Sequence, residues 1–170
     1  AKTQPLDEYR EQRRGGQGKA AASVKEEDLI QNLYVLSSHV QILCFTTKGK
    51  VFWLKVYEIP VASRTSKGRP LVNMLNLDDD ERVSEILPVE EFSDDKFIFM
   101  ATRKGITKKT NLSLFARKWK SGIKAINLDE DDRLVGTAIT DGKKEILLAS
   151  SAGKLLSLIH ISEPTRRSDI

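Results

Sequence analysis

Three apolar runs recur along the chain at a near-constant interval, and each is closed by a glycine. They are Ile42-Leu43-Cys44-Phe45, Phe97-Ile98-Phe99-Met100-Ala101 and Ile146-Leu147-Leu148-Ala149, followed by Gly49, Gly105 and Gly153. The glycines stand 56 and 48 residues apart. Short continuous apolar runs of this kind read as strands covered on both faces. A turn precedes each run: Ser37-Ser38-His39, Ser93 to Lys96, and Asp141 to Lys144. Before each turn lies another β-prone run, at Leu33 to Leu36, Val83 to Val89 and Leu134 to Thr140. After the glycines a further strand can begin, as at Val51 to Leu54 and Ile106 to Lys109. The expected unit is strand, turn, buried strand, glycine turn, strand.

A second landmark repeats in phase with the first. Lys67-Gly68-Arg69-Pro70-Leu71-Val72-Asn73 leads to Leu77-Asp78-Asp79-Asp80-Glu81-Arg82-Val83. Ser121-Gly122-Ile123-Lys124-Ala125-Ile126-Asn127 leads to Leu128-Asp129-Glu130-Asp131-Asp132-Arg133-Leu134. A β-repeat of about 50 residues points to an all-β, propeller-like array with blades of four antiparallel strands. The chain has room for about two and a half blades of an incomplete ring. Residues 1–28 are expected to form a linker, 29–92 the first blade, 93–140 the second and 141–155 the start of a third. No helix of ordinary length is expected; Leu112 to Trp119 could form a turn or two. So short an array is expected to be marginally stable or self-associating, with Ile146 to Ala149 as an exposed apolar edge.

The ends carry their own signals. Ala1 stands where a Met would open a complete chain, and the chain is expected to be a piece of a longer one. Leu156 to Arg166 reads LSLIHISEPTR, which looks like the translation of a sequencing-library adapter. Residues 156–170 are therefore expected to be adapter-derived, the alternative being a genuine last strand over Leu155 to Ile161. Removing them leaves the net charge at +4 and His39 as the one histidine. With one cysteine, Cys44, and two histidines, the chain can form neither an internal disulfide nor a four-ligand zinc site of the finger or ribbon type. No metal site, cofactor or catalytic residue is expected in this chain. No apolar run approaches the length of a membrane span, and no membrane partner is expected.

Charge follows the repeat. From Lys48 to Arg69 there are six basic residues and one acidic, and from Arg103 to Lys124 eight basic and none acidic. From Asp78 to Asp95 nine are acidic and one is basic, and Asp129 to Asp132 are all acidic. In a stacked array equivalent loops fall on the same rim, so the basic loops should gather apart from the acidic turns. The acidic clusters recur at turn positions and read as solvated turns rather than as catalytic pairs.

Ahead of the first blade lies Gln12-Arg13-Arg14-Gly15-Gly16-Gln17-Gly18-Lys19. Its glycines allow positive φ and close approach by another chain. Arg13 and Arg14 offer planar donors suited to phosphate oxygens. Gln12 and Gln17 add neutral hydrogen-bonding groups. The segment lacks the GxxxxGK[ST] spacing of a nucleotide-binding loop. On composition alone it reads equally as a flexible basic linker.

The string QRRGGQG resembles the gyrase-A box, usually QRRGG[KR]G, and ILCFTTKGKVFWLKVYEIP and KGRPLVNML resemble the first blade of the C-terminal domain of DNA gyrase A proteins. The resemblance runs from about Tyr9 to Lys154. It implies a β-pinwheel that binds double-stranded DNA on its basic perimeter and wraps it, setting the direction of supercoiling. Gln12, Arg13, Arg14, Gly15, Gly16 and Gly18 match the box, and Gln17 replaces its usual basic residue. The related domain of topoisomerase IV, which lacks an intact box, is an alternative assignment.

The resemblance implies a bacterial, cytoplasmic enzyme. In it this domain works with the gyrase B protein and a second copy of the gyrase A protein, and ATP and Mg serve the whole enzyme only. The DNA-cleaving tyrosine belongs to another domain. Tyr9, Tyr34 and Tyr57 fall in the linker and first blade and are not candidates. Beyond the box, Lys19, Arg64, Lys67, Arg69, Arg103, Lys104, Lys108, Lys109, Arg117, Lys118, Lys120 and Lys124 are the candidate phosphate contacts, about half of which are expected to matter. A protein-binding propeller, its basic loops serving acidic partners, is the other reading; it would leave the box dispensable.

Overall fold

The computed structural model describes residues 1–6, 14–15, 32–63, 66, 68–149 and 155–160. Among these the chain is all β, broken only by short 3₁₀ turns such as Val56–Glu58, Leu71–Met74 and Leu112–Phe115. The strands are β1 Gln41–Thr46, β2 Lys50–Lys55, β3 Val83–Val89, β4 Phe97–Thr102, β5 Thr107–Asn111, β6 Ile123–Lys124, β7 Leu134–Thr140, β8 Glu145–Ala149 and β9 Leu155–His160. They form three antiparallel sheets, ordered β3-β1-β2-β6, β5-β4-β7 and β8-β9.

The pairing differs from the expected unit. The turn at Ser93 to Lys96 does not join a hairpin, because β3 pairs back onto β1, with Gln41 opposite Val89 and Leu43 opposite Leu87. In the same way β7 pairs onto β4. Each buried strand is thus flanked by the strand that follows it and by one returning from about 40 residues on. The turn before β4 carries the chain from one sheet to the next. Leu33 to Leu36 is not a strand. The equivalent strands β3 and β7 each pair with the buried strand of the sheet before, and no such sheet precedes β1 among the described residues. Without a partner edge, Leu33 stays 86% exposed.

Both-face burial holds for the first two runs. In β1, Leu43 and Phe45 face one cluster and Ile42 and Cys44 the other. The first cluster lies between the sheets, joining Leu43, Phe45 and Val51 to Ile98, Met100, Leu112, Phe115 and Leu134. Phe45 meets Phe115 edge-on at 6.2 Å. Each such side chain contributes roughly 1.5–3 kcal/mol on burial. An exposed ion pair contributes about 0–1 kcal/mol. The inter-sheet cluster therefore dominates the joining of the blades. Burial pushes the Cys44 thiol up to about 12, so it is protonated and unreactive at neutral pH. The third run departs from the pattern: Leu147 is 62% exposed, and among the described residues none of β8 joins either core cluster and β8 has one strand neighbour. That neighbour is β9, whose residues from Leu156 onward lie in the run expected to be adapter-derived.

β6 crosses between repeats. It comes from the second repeat yet pairs with β2 of the first sheet, Val51 opposite Ile123 and Lys50 opposite Lys124. Gly49 makes this possible. At φ 74 its carbonyl accepts from the N–H groups of Ala125 (2.8 Å) and Ile126 (3.2 Å). The sheets are stitched further where Leu134 N–H donates to Thr47 O and Ser84 Oγ donates to Leu134 O, while Thr47 N–H donating to Arg82 O continues the β1–β3 pairing.

Candidate nucleic-acid interface

Of the box, the structure describes Arg14 and Gly15, which form an exposed turn. Gly15 has φ 84, and a Cβ placed on it would meet nothing within 4 Å. Its backbone is open to close approach, as an anion-binding glycine loop requires. Gln12, Arg13, Gly16, Gln17, Gly18 and Lys19 lie outside the described residues, as do Arg64 and Lys67.

The segment leading to the box is fastened to the first blade. Thr3 bridges Val61 in parallel, its N–H donating to Pro60 O (3.1 Å) while its carbonyl accepts from Ala62 N–H (3.0 Å). Arg69 N–H donates to Ala1 O (2.9 Å), and Lys2 Nζ donates to the carbonyls of Ser63 and Ser66. Residues Ala1 to Thr3 and the loop ending at exposed Arg69 therefore meet at one side of the first blade.

On the second blade the basic candidates divide. Arg103 is exposed in the β4–β5 turn. Lys104 is held by the Asp131 carboxylate. Lys108 Nζ donates to Ala125 O (2.8 Å), and Lys109 Nζ sits 4.8 Å above the Phe97 ring. Arg117, Lys118, Lys120 and Lys124 are exposed on one continuous stretch, with the Arg117 guanidinium 4.4 Å from the Trp119 ring. Lys124 stands opposite Lys50 across β6 and β2, but Lys50 is neutralised by Asp78 (2.9 Å) and Glu81 (3.5 Å). The open charge at that edge is that of Lys124.

Basic and acidic groups are thus not fully separated, contrary to the sequence expectation. Lys48, Lys50 and Lys104 lie within the acidic corners. Nor are those corners merely solvated turns. Thr46 Oγ1 donates to the buried Glu81 carboxylate and accepts from Lys50 N–H. The second blade repeats this device. Thr102 bonds the Asp132 carboxylate, which also accepts from the N–H groups of Lys104 and Arg133. Lys48 with Asp80 corresponds to Lys104 with Asp131. The second corner is poorer by one cation, because Ile106 stands where the first blade has Lys50, and Asp132 Oδ2 is buried without a hydrogen bond. The missed signal is a threonine three residues before each turn glycine, at Thr46 and Thr102.

These contacts set a pH dependence. The Lys50 ammonium hydrogen-bonded to Asp78, Lys48 to Asp80 and Lys104 to Asp131 hold those three carboxyls below the ordinary Asp value. Burial works to raise Asp132, but the hydrogen bonds from Thr102, Lys104 and Arg133 outweigh it and the carboxyl is lowered. A carboxylate with a depressed folded-state pKa stabilises the fold above its unfolded value, about 3.9, and loses that contribution as pH falls through the folded value. The thermal midpoint, followed by circular dichroism, is therefore expected to stay level near neutrality and to drop below about pH 4. A midpoint that rises on acidification would contradict these pairings.

Among the described residues no group of His, Cys, Asp and Glu could hold a metal ion, and no helix is long and apolar enough to cross a membrane. The described second blade presents an exposed basic edge on a β scaffold.

Comparison with known proteins agrees. The family model described as DNA gyrase C-terminal domain, beta-propeller, matches residues 1–37, 41–90 and 96–141. The chain is 54% identical over 155 residues to the DNA gyrase A protein of Aeromonas salmonicida, covering 91% of this chain and 17% of that protein. It is 49% identical over 155 residues to that of Escherichia coli K12, covering 91% and 18%. The chain thus spans less than a fifth of the length of these curated relatives. Among solved structures, the C-terminal domain of DNA topoisomerase IV superposes with a TM-score of 0.60 at 30% identity, over 66% of this chain and 35% of that one. The DNA gyrase A C-terminal domain superposes with a TM-score of 0.55 at 18% identity, over 85% and 45%, which speaks to the fold. With a matching model over most of its length and the blade pairing just described, this chain belongs to the DNA gyrase C-terminal domain family of β-propellers.

Proposed function

We propose that this chain binds duplex DNA through its phosphates and bends it along the blade array, as the DNA-wrapping part of a gyrase A protein. The observation that carries this reading is the stretch from Arg103 to Lys124, with eight cations and no acid, of which Arg103, Arg117, Lys118, Lys120 and Lys124 are exposed and free of carboxylate partners among the described residues. Cations spread along a rigid rim displace counterions from the duplex and hold its backbone. Bending 20–30 bp costs of order 1–6 kcal/mol. Contacts on two successive blades, together with those of the box, can offset that; one loop cannot. Phosphate contacts carry no direct base information, so preference follows DNA bendability.

On this reading supercoiling belongs to a whole bacterial enzyme that contains the gyrase B protein and a second copy of the gyrase A protein and uses ATP with Mg. The test is end-to-end energy transfer in a doubly labelled duplex of about 40 bp. Transfer should rise on adding the chain and return to baseline at high salt. Binding without a rise would overturn the bending half of the proposal, and no binding by the folded chain would overturn all of it.

A further inference from the structure

Trp119 stands apart from the other exposed apolar residues because of where it is held. The loop 116–121 leaves a 3₁₀ turn whose Leu112 and Phe115 are buried, and in which the Asn111 side chain accepts from Ser113 N–H at 2.9 Å. Phe115 O is fixed by the indole N–H of Trp53 at 2.8 Å. The loop closes at Gly122, whose N–H donates to Trp119 O at 3.0 Å. Gly122 has φ 71 and packs so tightly that a Cβ would lie 2.7 Å from the Phe52 ring. β6 then locks onto β2. Both ends of the loop are therefore anchored in the core, and its tip projects from it with residues 116–121 exposed.

At that tip Trp119 is 44% exposed, with Arg117 stacked at 4.4 Å and Lys118 and Lys120 on either side. A single exposed apolar residue needs no explanation. A rigidly presented indole among cations, with no acid from residue 116 to 124, does point to a ligand. It matches a partner that alternates anionic groups with flat apolar surface, which is the chemistry of nucleic acid. The corresponding first-blade loop, residues 59–69, contains no aromatic residue.

We propose that Trp119 acts as a wedge that enters a base-pair step while Arg117, Lys118 and Lys120 hold the flanking phosphates, concentrating the bend at the second blade. The inference rests on the duplex-binding reading above. Wedging partly unstacks a step and kinks the duplex, and it is easiest at pyrimidine–purine steps such as TA and CA/TG. Trp119 would thereby set where along the DNA the bend is placed.

The test compares the full chain with W119A, W119F and R117A on doubly labelled duplexes carrying either a central TA step or a rigid A-tract. W119A is expected to weaken binding to the TA duplex about 5- to 20-fold and to reduce its bend. It should erase the preference for TA over the A-tract and leave the salt slope unchanged, since no charge is removed. W119F should retain most of the affinity and the preference. R117A should flatten the slope by about one unit. W119A with wild-type affinity and bend, or W119A that loses slope instead of step preference, would overturn the wedge while leaving phosphate binding intact. Failure of the unmodified chain to bind any duplex would overturn the underlying reading, a result distinct from either.

Discussion

Changing Arg13 and Arg14 together to alanine is expected to weaken duplex binding roughly 10- to 100-fold at low salt and to flatten the salt dependence by about two units, while leaving the thermal midpoint unchanged. Each neutralised phosphate adds about −0.9 to the slope of log Kobs against log[salt], so removing two contacts returns about that much twice over. Charge-assisted hydrogen bonds to phosphate contribute about 1.5–3 kcal/mol each, of which part is recovered by water and counterions once the contact is lost. Arg14 stands in an exposed turn beside Gly15, on which a Cβ would meet nothing within 4 Å. Arg14 is exposed there, so an alanine in its place removes no buried surface and stability should not move. Arg13→Lys/Arg14→Lys separates charge from shape: slope should be kept, but affinity restored only in part, because an ammonium cannot present the planar fork. Competition binding with circular dichroism melts on the same samples checks both halves. An unchanged affinity would make the box a linker and favour the protein-binding reading.

Gly49→Ala should destabilise the fold by about 2–4 kcal/mol, and Gly105→Ala at the equivalent turn by only about 1 kcal/mol. Both glycines have positive φ, 74 and 86. Backbone strain is therefore common to the two substitutions. They differ in what surrounds them. A Cβ on Gly49 would lie 2.7 Å from Ile126 O and 2.9 Å from its Cγ2, whereas one on Gly105 would meet nothing within 4 Å. Ile126 O is backbone, so the clash is relieved only by moving the segment that Gly49 O anchors through Ala125 and Ile126 N–H. That movement would pull β6 from β2 and open the inter-sheet cluster. For a chain of this size the larger loss corresponds to roughly 5–15 °C in thermal midpoint. Equal effects at the two positions would mean that the crossing of β6 does not hold the blades together.

The comparison of Gly49 with Gly105 also marks what the sequence could and could not reveal. The apolar runs gave strands in the right places: β3 and β7 coincide with Val83–Val89 and Leu134–Thr140, and β1 and β4 contain the expected runs. Burial on two faces was legible because Ile42 to Phe45 has no polar residue to spare for solvent. Partner choice was not legible. Periodicity states that Val83 to Val89 is a strand, but which edge it joins depends on the open side of β1, some 40 residues earlier. The same limit turned Leu33 to Leu36 into an expected strand. At the interface, the exposed cations of 117–124 were visible as a charge block. The capture of Lys104 by Asp131 and of Lys50 by Asp78 was not, since each pair is brought together only when the returning strand docks. Trp119 figures in the sequence as the end of the Leu112 to Trp119 turn, and its exposure beside Arg117 follows from how that loop is anchored.

The central claim is that exposed cations on two blades hold duplex phosphates, and the salt dependence of duplex affinity tests it most directly. For the unmodified chain, log Kobs against log[salt] should be linear with a slope between about −4 and −7, the range for neutralising roughly half to all of Arg13, Arg14, Arg69, Arg103, Arg117, Lys118, Lys120 and Lys124. A well-folded chain that binds with a slope near zero, or binds no duplex at low salt, would contradict it.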